Sequence, residues 1–453
     1  MLLIVLFFCG SLSYFIPQGA FERDADQNII PGTYKEGEVK GIAIWRVITA
    51  PVRVFASEDG LSIIMISLFL LIMSGVFNLL DKTGGIKTFI EFIMRRFRNN
   101  SGTVVCIMIV LFMLFGSLFG MFEELATLLP LVIVFMLSIN LDTMVGLGTC
   151  LMAACFGFST AITNPFSVGT AAQLAKIPVS SGVWLRMVFF VIVYCILCVF
   201  MLGYLKKIRM NPQLSPTYQL DLKKRENLVF SEGESQNKKK TFRVFAAFFA
   251  IQGVMLVVIA CIRAIAGFAI PILAVSFLIS GLIAGQIICK SFRKVLSDFL
   301  SGAVAMLPAV FMIALASSVK LVMVESNIID TVMDTVLQSL VGKGKFVTIL
   351  LIYALILFLQ LFIGSASAKI FLVMPIVLPI TNALGVSPTL VILTYCMADG
   401  FTDVLLPTNP VLLIGLSMAN VSYWKWLKWT WKLQLILFAV SVAVLYFGVL
   451  IGY

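Results

Sequence analysis

Long apolar stretches alternate with short polar clusters along the whole chain. Segments 61–80, 103–122, 187–205, 244–262, 264–289, 300–319, 346–368 and 433–453 each run without a charged side chain. At 1.5 Å per residue, about 20 residues of helix cross a hydrocarbon core roughly 30 Å thick, so each stretch is long enough to span a membrane. None alternates with the period of two that a membrane β-strand needs. Backbone polar groups in lipid must be satisfied within their own segment, so the pattern predicts an all-α polytopic membrane protein. Residues 2–15 are also apolar, with no basic region ahead of them and Ile16-Pro17-Gln18-Gly19 after them. They read as a retained first helix rather than a signal peptide. Residues 85–97 and 328–340 have the mixed pattern of amphipathic interfacial helices.

One phrase recurs in a matching setting. Thr163-Asn164-Pro165 returns 245 positions later as Thr408-Asn409-Pro410, and Pro130 and Pro375 each stand 33 residues ahead of their copy. Proline lacks a donor and clashes with the preceding turn, while the residue before it is pushed out of the α region, so each copy interrupts a helix. The expectation is two discontinuous helices, at about 143–176 and 387–420. Each is preceded by a re-entrant hairpin, at about 103–141 and 346–384; two full spans would return the chain to the same side, and the acidic tip Glu123-Glu124 and the match between the halves favour the hairpin. Counting crossings, the second half repeats the first from the opposite side. The chain then divides into a first transmembrane repeat (1–205), a basic cytoplasmic loop (206–243), and a linking helix with the second repeat (244–453). This is an inverted-topology arrangement with two re-entrant hairpins and two discontinuous helices.

Composition agrees with a membrane protein. Apolar residues make up 60% of the 453 positions and charged ones 12%, against about 45–50% and 25% in soluble domains. The net charge of +11 would suit nucleic acid, but it gathers in loops: Lys206, Lys207, Arg209, Lys223, Lys224, Arg225, Lys238, Lys239, Lys240 and Arg243 all fall in 206–243. Positive-inside orientation accounts for them, with the mixed loop after residue 18 outside. No nucleic-acid partner is expected. The partners are the bilayer of the cell (cytoplasmic) membrane, crossed several times, and a small-molecule substrate. Segment 206–243 reads as a disordered orientation anchor, and Trp424, Trp426, Trp429 and Trp431 as an interfacial belt.

Candidate chemistry narrows further. The chain has no histidine, and Cys150, Cys155, Cys195, Cys198 and Cys396 lack metal-ligand spacing. No catalytic residue, metal site or cofactor is expected, the chain does not read as an enzyme, and any coupled H⁺ would use carboxylates. The breaks supply Thr163, Asn164, Thr408 and Asn409, whose oxygens and loosened carbonyls suit a cation such as Na⁺, while the half-helix that follows suits a carboxylate. The hairpin tips supply Glu123 and Glu124 in the first half and Ser365, Ser367 and Lys369 in the second. Glu124 and Lys369 correspond at the 245-residue offset. Ionisable residues at membrane depth are functional candidates by default. Asp399 and Asp403 bracket the approach to the second break and are candidates for ion or proton coupling, with Thr402 between them.

The segments Ile16-Pro17-Gln18-Gly19-Ala20-Phe21-Glu22-Arg23, Gly120-Met121-Phe122-Glu123-Glu124, Thr163-Asn164-Pro165-Phe166-Ser167-Val168-Gly169, Ser367-Ala368-Lys369 and Asp399-Gly400-Phe401-Thr402, with Pro407-Thr408, resemble the YfcC-like branch of the C4-dicarboxylate anaerobic carrier family, in the ion transporter superfamily. The resemblance covers nearly the whole chain. It implies a secondary transporter with two hairpins and two broken helices, acting as a homodimer by elevator-type alternating access. Members of the family divide between dicarboxylate carriers and basic amino-acid antiporters. Glu123, Glu124, Asp399 and Asp403 outnumber Lys369 among the candidate site residues, which favours an amino-acid antiporter for cationic substrates such as arginine or ornithine. A sodium- or proton-coupled C4-dicarboxylate carrier is the alternative.

Overall fold

The computed structural model describes all residues except 1, 23–32, 58–59, 85–87, 89–99, 123–124, 126–127, 227–235, 262–268, 341–342, 362–365 and 408. The expected amphipathic helix at 85–97 therefore lies outside the described residues, apart from Thr88. What is described is helical, with one short ribbon of β1 (Gly19–Ala20) and β2 (Lys35–Glu36). In the first half, α1 (Leu2–Leu12), α2 (Ile44–Arg53) and α3 (Gly60–Lys82) lead to α4 (Ser101–Phe119), α5 (Leu129–Ser138), α6 (Thr143–Ser159), α7 (165–174) and α8 (Val183–Met210). A short α9 (Tyr218–Glu226) precedes α10 (Gln236–Cys261), α11 (Ala269–Cys289), α12 (Phe292–Ala305), α13 (Leu307–Glu325) and α14 (Ile329–Leu340). The chain closes with α15 (Lys345–Gln360), α16 (Ala366–Ala383), α17 (Pro388–Gly400), α18 (Pro410–Ala419) and α19 (Tyr423–Leu450). Among the described residues, six helical segments are long and apolar enough to cross a membrane: Ile63–Lys82, Ser101–Phe119, Val183–Met210, Pro271–Cys289, Ala366–Ala383 and Tyr423–Leu450.

The centre of the molecule is the pair α6 and α17. Every residue of 141–161 and of 390–401 is buried, which explains why these segments are apolar on all sides. They cross where Gly400 meets Ser159: a Cβ on Gly400 would sit 2.6 Å from the Ser159 Cα, so only glycine allows this approach. At the crossing the Cys155 thiol donates to the Gly400 carbonyl (2.9 Å), and the rings of Phe156 and Phe401 meet edge to face at 5.3 Å.

Matching details recur on both sides of this crossing. Asn140 and Gly385 both adopt left-handed φ, at 61° and 68°. The next amide bonds five residues back in each case, Leu141 N to Met136 O and Val386 N to Thr381 O, both at 2.8 Å. Asp142 and Ser387 then cap the helices that follow by accepting from the amides of Val145 and Thr389.

A second layer flanks this centre. α3 packs on α12, where Ser74 Oγ donates to the Gly302 carbonyl (2.9 Å) and Asn78 Nδ2 donates to the Asp298 carbonyl (2.6 Å). A smaller core of Leu6, Val47, Val322 and Ile329 joins α1, α2, α13 and α14. The ribbon is tied to it by Phe21 N, which donates to Asp330 Oδ2 at 3.0 Å.

Four expectations need correction. The single helix expected across 300–319 is split into α12 and α13 around Met306, because Pro308 stands in the first turn of α13 and the chain before a proline leaves the helix. Segment 206–243 is not a disordered anchor over its described part. α8 continues to Met210, and α9 docks through buried Asp221, which accepts from Thr143 N (3.0 Å) and Thr217 Oγ1 (2.6 Å). The loop after residue 18 contains the ribbon and α2. Trp426 does not belong to a lipid-facing belt: it is fully buried and its indole N–H donates to the Val404 carbonyl (2.7 Å), while Trp424 is exposed.

Candidate functional site

The first break occupies 160–164, between α6 and α7. Its freed backbone groups are taken up by α4. Ser117 Oγ donates to the Thr160 carbonyl (2.7 Å), the amides of Ile162 and Thr163 donate to Ser117 O (3.1 and 3.2 Å), and Thr163 Oγ1 donates to Leu118 O (3.1 Å). Helix α4 ends there in a π turn, Phe115–Phe119, closed by Gly120 at φ 71°. A Cβ on Gly120 would lie 2.3 Å from Asn164 Oδ1, so the first hairpin sits directly on the first break. Asn164 caps α7 by accepting from Phe166 N (2.9 Å), and the first residue of α7 is Pro165, where a missing N–H costs nothing. Its Nδ2 is buried without a partner among the described residues, as is Ser167 Oγ one turn further.

The second break lies between a 3₁₀ turn at Phe401–Val404 and the start of α18. Asn409 repeats the cap on α18, accepting from Val411 N (2.9 Å) and Leu412 N (3.3 Å). Here the amide N–H₂ is engaged: Asn409 Nδ2 donates to Asp403 Oδ1 at 2.8 Å, and Gln360 Nε2 donates to the same oxygen at 2.6 Å. The loosened carbonyls at Val404 and Leu405 accept from Trp426 Nε1 (2.7 Å) and Tyr423 OH (2.8 Å) of α19.

Lys369 links the second hairpin to α17. Its ammonium forms an ion pair and hydrogen bond with Asp399 Oδ1, and both side chains are shut from solvent, at 0% and 1% exposure. It does not snorkel. Asp399 Oδ2 has no partner among the described residues. Thr402 Oγ1 turns back to the carbonyls of Ala398 (3.2 Å) and Asp399 (3.0 Å). Ser367 Oγ donates to the Phe166 carbonyl (3.2 Å), so the start of α16 touches the start of α7 across the two halves.

The structure thus brings together Thr163, Asn164, Ser367, Lys369, Asp399, Thr402, Asp403 and Asn409 around the crossing of α6 and α17. Glu123, Glu124, Ser365 and Thr408 lie outside the described residues. Sequence reasoning missed Gln360, Ser167 and Trp426. Gln360 carried a usable signal, since it is the one amide in the apolar run 346–364. Ser167 stands two residues after a proline and resembles any small helix residue. As a set, the site offers one neutralised ion pair, a carboxylate held by two amides, and two capped helix N-termini. A helix N-terminus attracts anions and a held carboxylate attracts cations, so the arrangement suits a small ligand carrying both.

The family model described as "C4-dicarboxylate anaerobic carrier" (DcuC) matches residues 1–450. The chain belongs to that family. A relative of this carrier is the Escherichia coli (strain K12) protein named "Putative basic amino acid antiporter YfcC", 26% identical over 100% of this chain and 96% of its own length. An uncharacterized protein of Haemophilus influenzae (strain ATCC 51907 / DSM 11121 / KW20 / Rd) is also 26% identical, over 88% of this chain and 77% of its own. Among solved structures, the fold is similar to the YdaH transporter of Alcanivorax borkumensis, whose topology is described as unusual (TM-score 0.74, 15% identity, 100% of this chain and 97% of that one). It is also similar to MtrF of Neisseria gonorrhoeae, described with a class of antimetabolite efflux pumps (TM-score 0.70, 14% identity, 98% and 92%). The carrier is therefore a helical membrane protein of a transporter family.

Proposed function

We propose that this carrier is a secondary active antiporter for amino acids, with cationic ones such as arginine and ornithine preferred. The observation that carries the reading is the charge balance at the site. Asp399 pairs directly with Lys369, the one fully buried lysine among the described residues, and Asp403, within electrostatic reach of the same ammonium, is hydrogen-bonded among the described residues by neutral amides alone. Two buried carboxylates on one ammonium are a cation short, so a substrate ammonium or guanidinium, or a coupled Na⁺ or H⁺, completes the set. The unpartnered donors at Asn164 Nδ2 and Ser167 Oγ, beside the N-terminus of α7, suit the α-carboxylate. The name of the E. coli relative agrees with this class.

Residues 155 and 400, and 156 and 401, are 245 apart and touch each other. Contact between equivalent residues is what a local two-fold axis produces, and it supports an inverted repeat with re-entrant hairpins. The first hairpin bonds to the first break through Ser117 and Leu118, and Ser367 of the second hairpin bonds to α7, which favours their moving as a unit against α3 and α12 in an elevator cycle, within a homodimer of the cell membrane. A sodium- or proton-coupled C4-dicarboxylate carrier is the second reading, favoured by the two capped helix N-termini at Pro165 and Pro410, one for each carboxylate.

Counterflow in proteoliposomes separates the two. With arginine inside, labelled ornithine outside should accumulate and labelled succinate should not. Succinate uptake under a sodium or proton gradient, with no ornithine exchange, replaces the first reading by the second. If Glu124→Gln and Asn164→Ala both leave saturable uptake unchanged, the site is misplaced.

A further inference from the structure

We propose that the groove between α10 and α11 binds one anionic phospholipid, with an acyl chain along the groove and the phosphate at Arg243. The groove encloses about 1040 Å³ and is lined by Arg243, Ala247, Ile251, Val275, Ile279 and Ile283, among others. Val275, Ile279 and Ile283 are more than half exposed, so this is an apolar face that no described residue covers. The polar groups of its floor satisfy each other. Gln252 Nε2 donates to Ser280 Oγ (2.7 Å) and Ser276 Oγ donates to Gln252 Oε1 (3.1 Å). An occupant therefore needs no polar atoms along the floor.

Charge chooses the occupant. The basic end of the groove matches an anionic headgroup. Arg243 is exposed and makes no hydrogen bond or ion pair among the described residues. Lys240 Nζ caps α11 at the Ile287 carbonyl (3.1 Å), and Lys290, Arg293 and Lys294 follow directly. Guanidinium and phosphate form strong, charge-assisted pairs, and positive-inside orientation puts this end at the cytoplasmic leaflet. Val76 and Leu79 of α3 press on the opposite face of α11, against Gly281 and Gly285, so the lipid would sit on the outside of the α3–α11 pair. The proposal is independent of substrate choice.

The test uses the full chain in vesicles of equal phosphatidylglycerol and phosphatidylcholine, followed by extraction and native mass spectrometry of retained lipid. The parent should keep phosphatidylglycerol in preference. Arg243→Gln should lower that preference about five-fold, the equivalent of ~1 kcal/mol for one basic residue near the surface. Ala247→Trp should fill the groove and lower retention with the charge intact, and Lys207→Gln, outside the groove, should change nothing. All three positions are exposed, so folding is preserved. The proposal is overturned if Arg243→Gln and Ala247→Trp both retain lipid like the parent. It is equally overturned if Ile279→Cys cross-links two chains in high yield, which would place a second copy in the groove.

Discussion

Removing one member of the Lys369–Asp399 pair should be among the most damaging single changes in the carrier, and removing both should be much milder. Both side chains are almost wholly shut from solvent, at 0% and 1%. Leaving one charge buried and unpaired costs about 3–5 kcal/mol, whereas replacing the whole pair by apolar groups of similar volume is often neutral. The two single changes should not be equal. In Asp399→Asn, Lys369 still has Asp403 within electrostatic reach. In Lys369→Met, the two carboxylates face each other with no cation, so this variant should lie at the upper end of the range. Lys369→Met with Asp399→Leu should recover most of the loss, so the cycle closed by the Asp399→Leu single variant should show a coupling energy of at least about 4 kcal/mol. Thermal unfolding of purified protein in detergent reads stability, and counterflow reads transport. Additive losses, or an Asp399→Asn variant as stable as the parent, would refute the reasoning. A double variant that is stable but does not transport assigns the pair to the transport cycle as well as to the fold.

Three further outcomes follow from single contacts. Asn409→Ala removes a helix cap, about 0.5–2 kcal/mol, and also a donor to Asp403, so it should reduce uptake more than Asn164→Ala; equal effects in a transport assay would argue against Asp403 as a site group. Trp426→Phe should destabilise the carrier by about 1–3 kcal/mol through the unpaired Val404 carbonyl, while exposed Trp424→Phe should be neutral. Thermal melts that rank the two alike would restore the belt reading. Burial holds the Asp142 carboxyl, outside the spanning segments, above its ordinary value of 3.8. The folded chain then holds that proton more tightly than the unfolded chain. Its contribution is full below 3.8 and fades as pH rises through the folded value. Asp142→Asn should therefore flatten the decline in melting temperature with rising pH above about 4, and an unchanged slope would show that another group sets it.

The breaks were legible because their cause is local. Proline sterics act on its own turn and on the residue before it, so Asn164-Pro165 and Asn409-Pro410 end a helix whatever surrounds them. The identity of the central helices was legible for the opposite reason. A segment buried on every side must be apolar on every side, and 143–175 is uncharged throughout. Trp426 was misread because an aromatic and basic cluster has the same composition whether it faces lipid or reaches inward to a loosened carbonyl. The docking of α9 was hidden by the basic composition of its segment, since Asp221 binds through partners as distant as Thr143.

By itself, then, the sequence determined what depends on neighbours along the chain: the membrane class, the apolar segments, the matched interruptions and the set of charges available at depth. Only the tertiary structure decided which charges cancel. Lys369 and Asp399 are 30 residues apart, and Gln360 and Asp403 are 43 apart. Pairing across helices depends on how those helices cross, and that is fixed by close approaches such as Gly400 on Ser159 rather than by any local pattern. Among the described site residues, the acidic excess thereby comes down to the carboxylate held at Asp403.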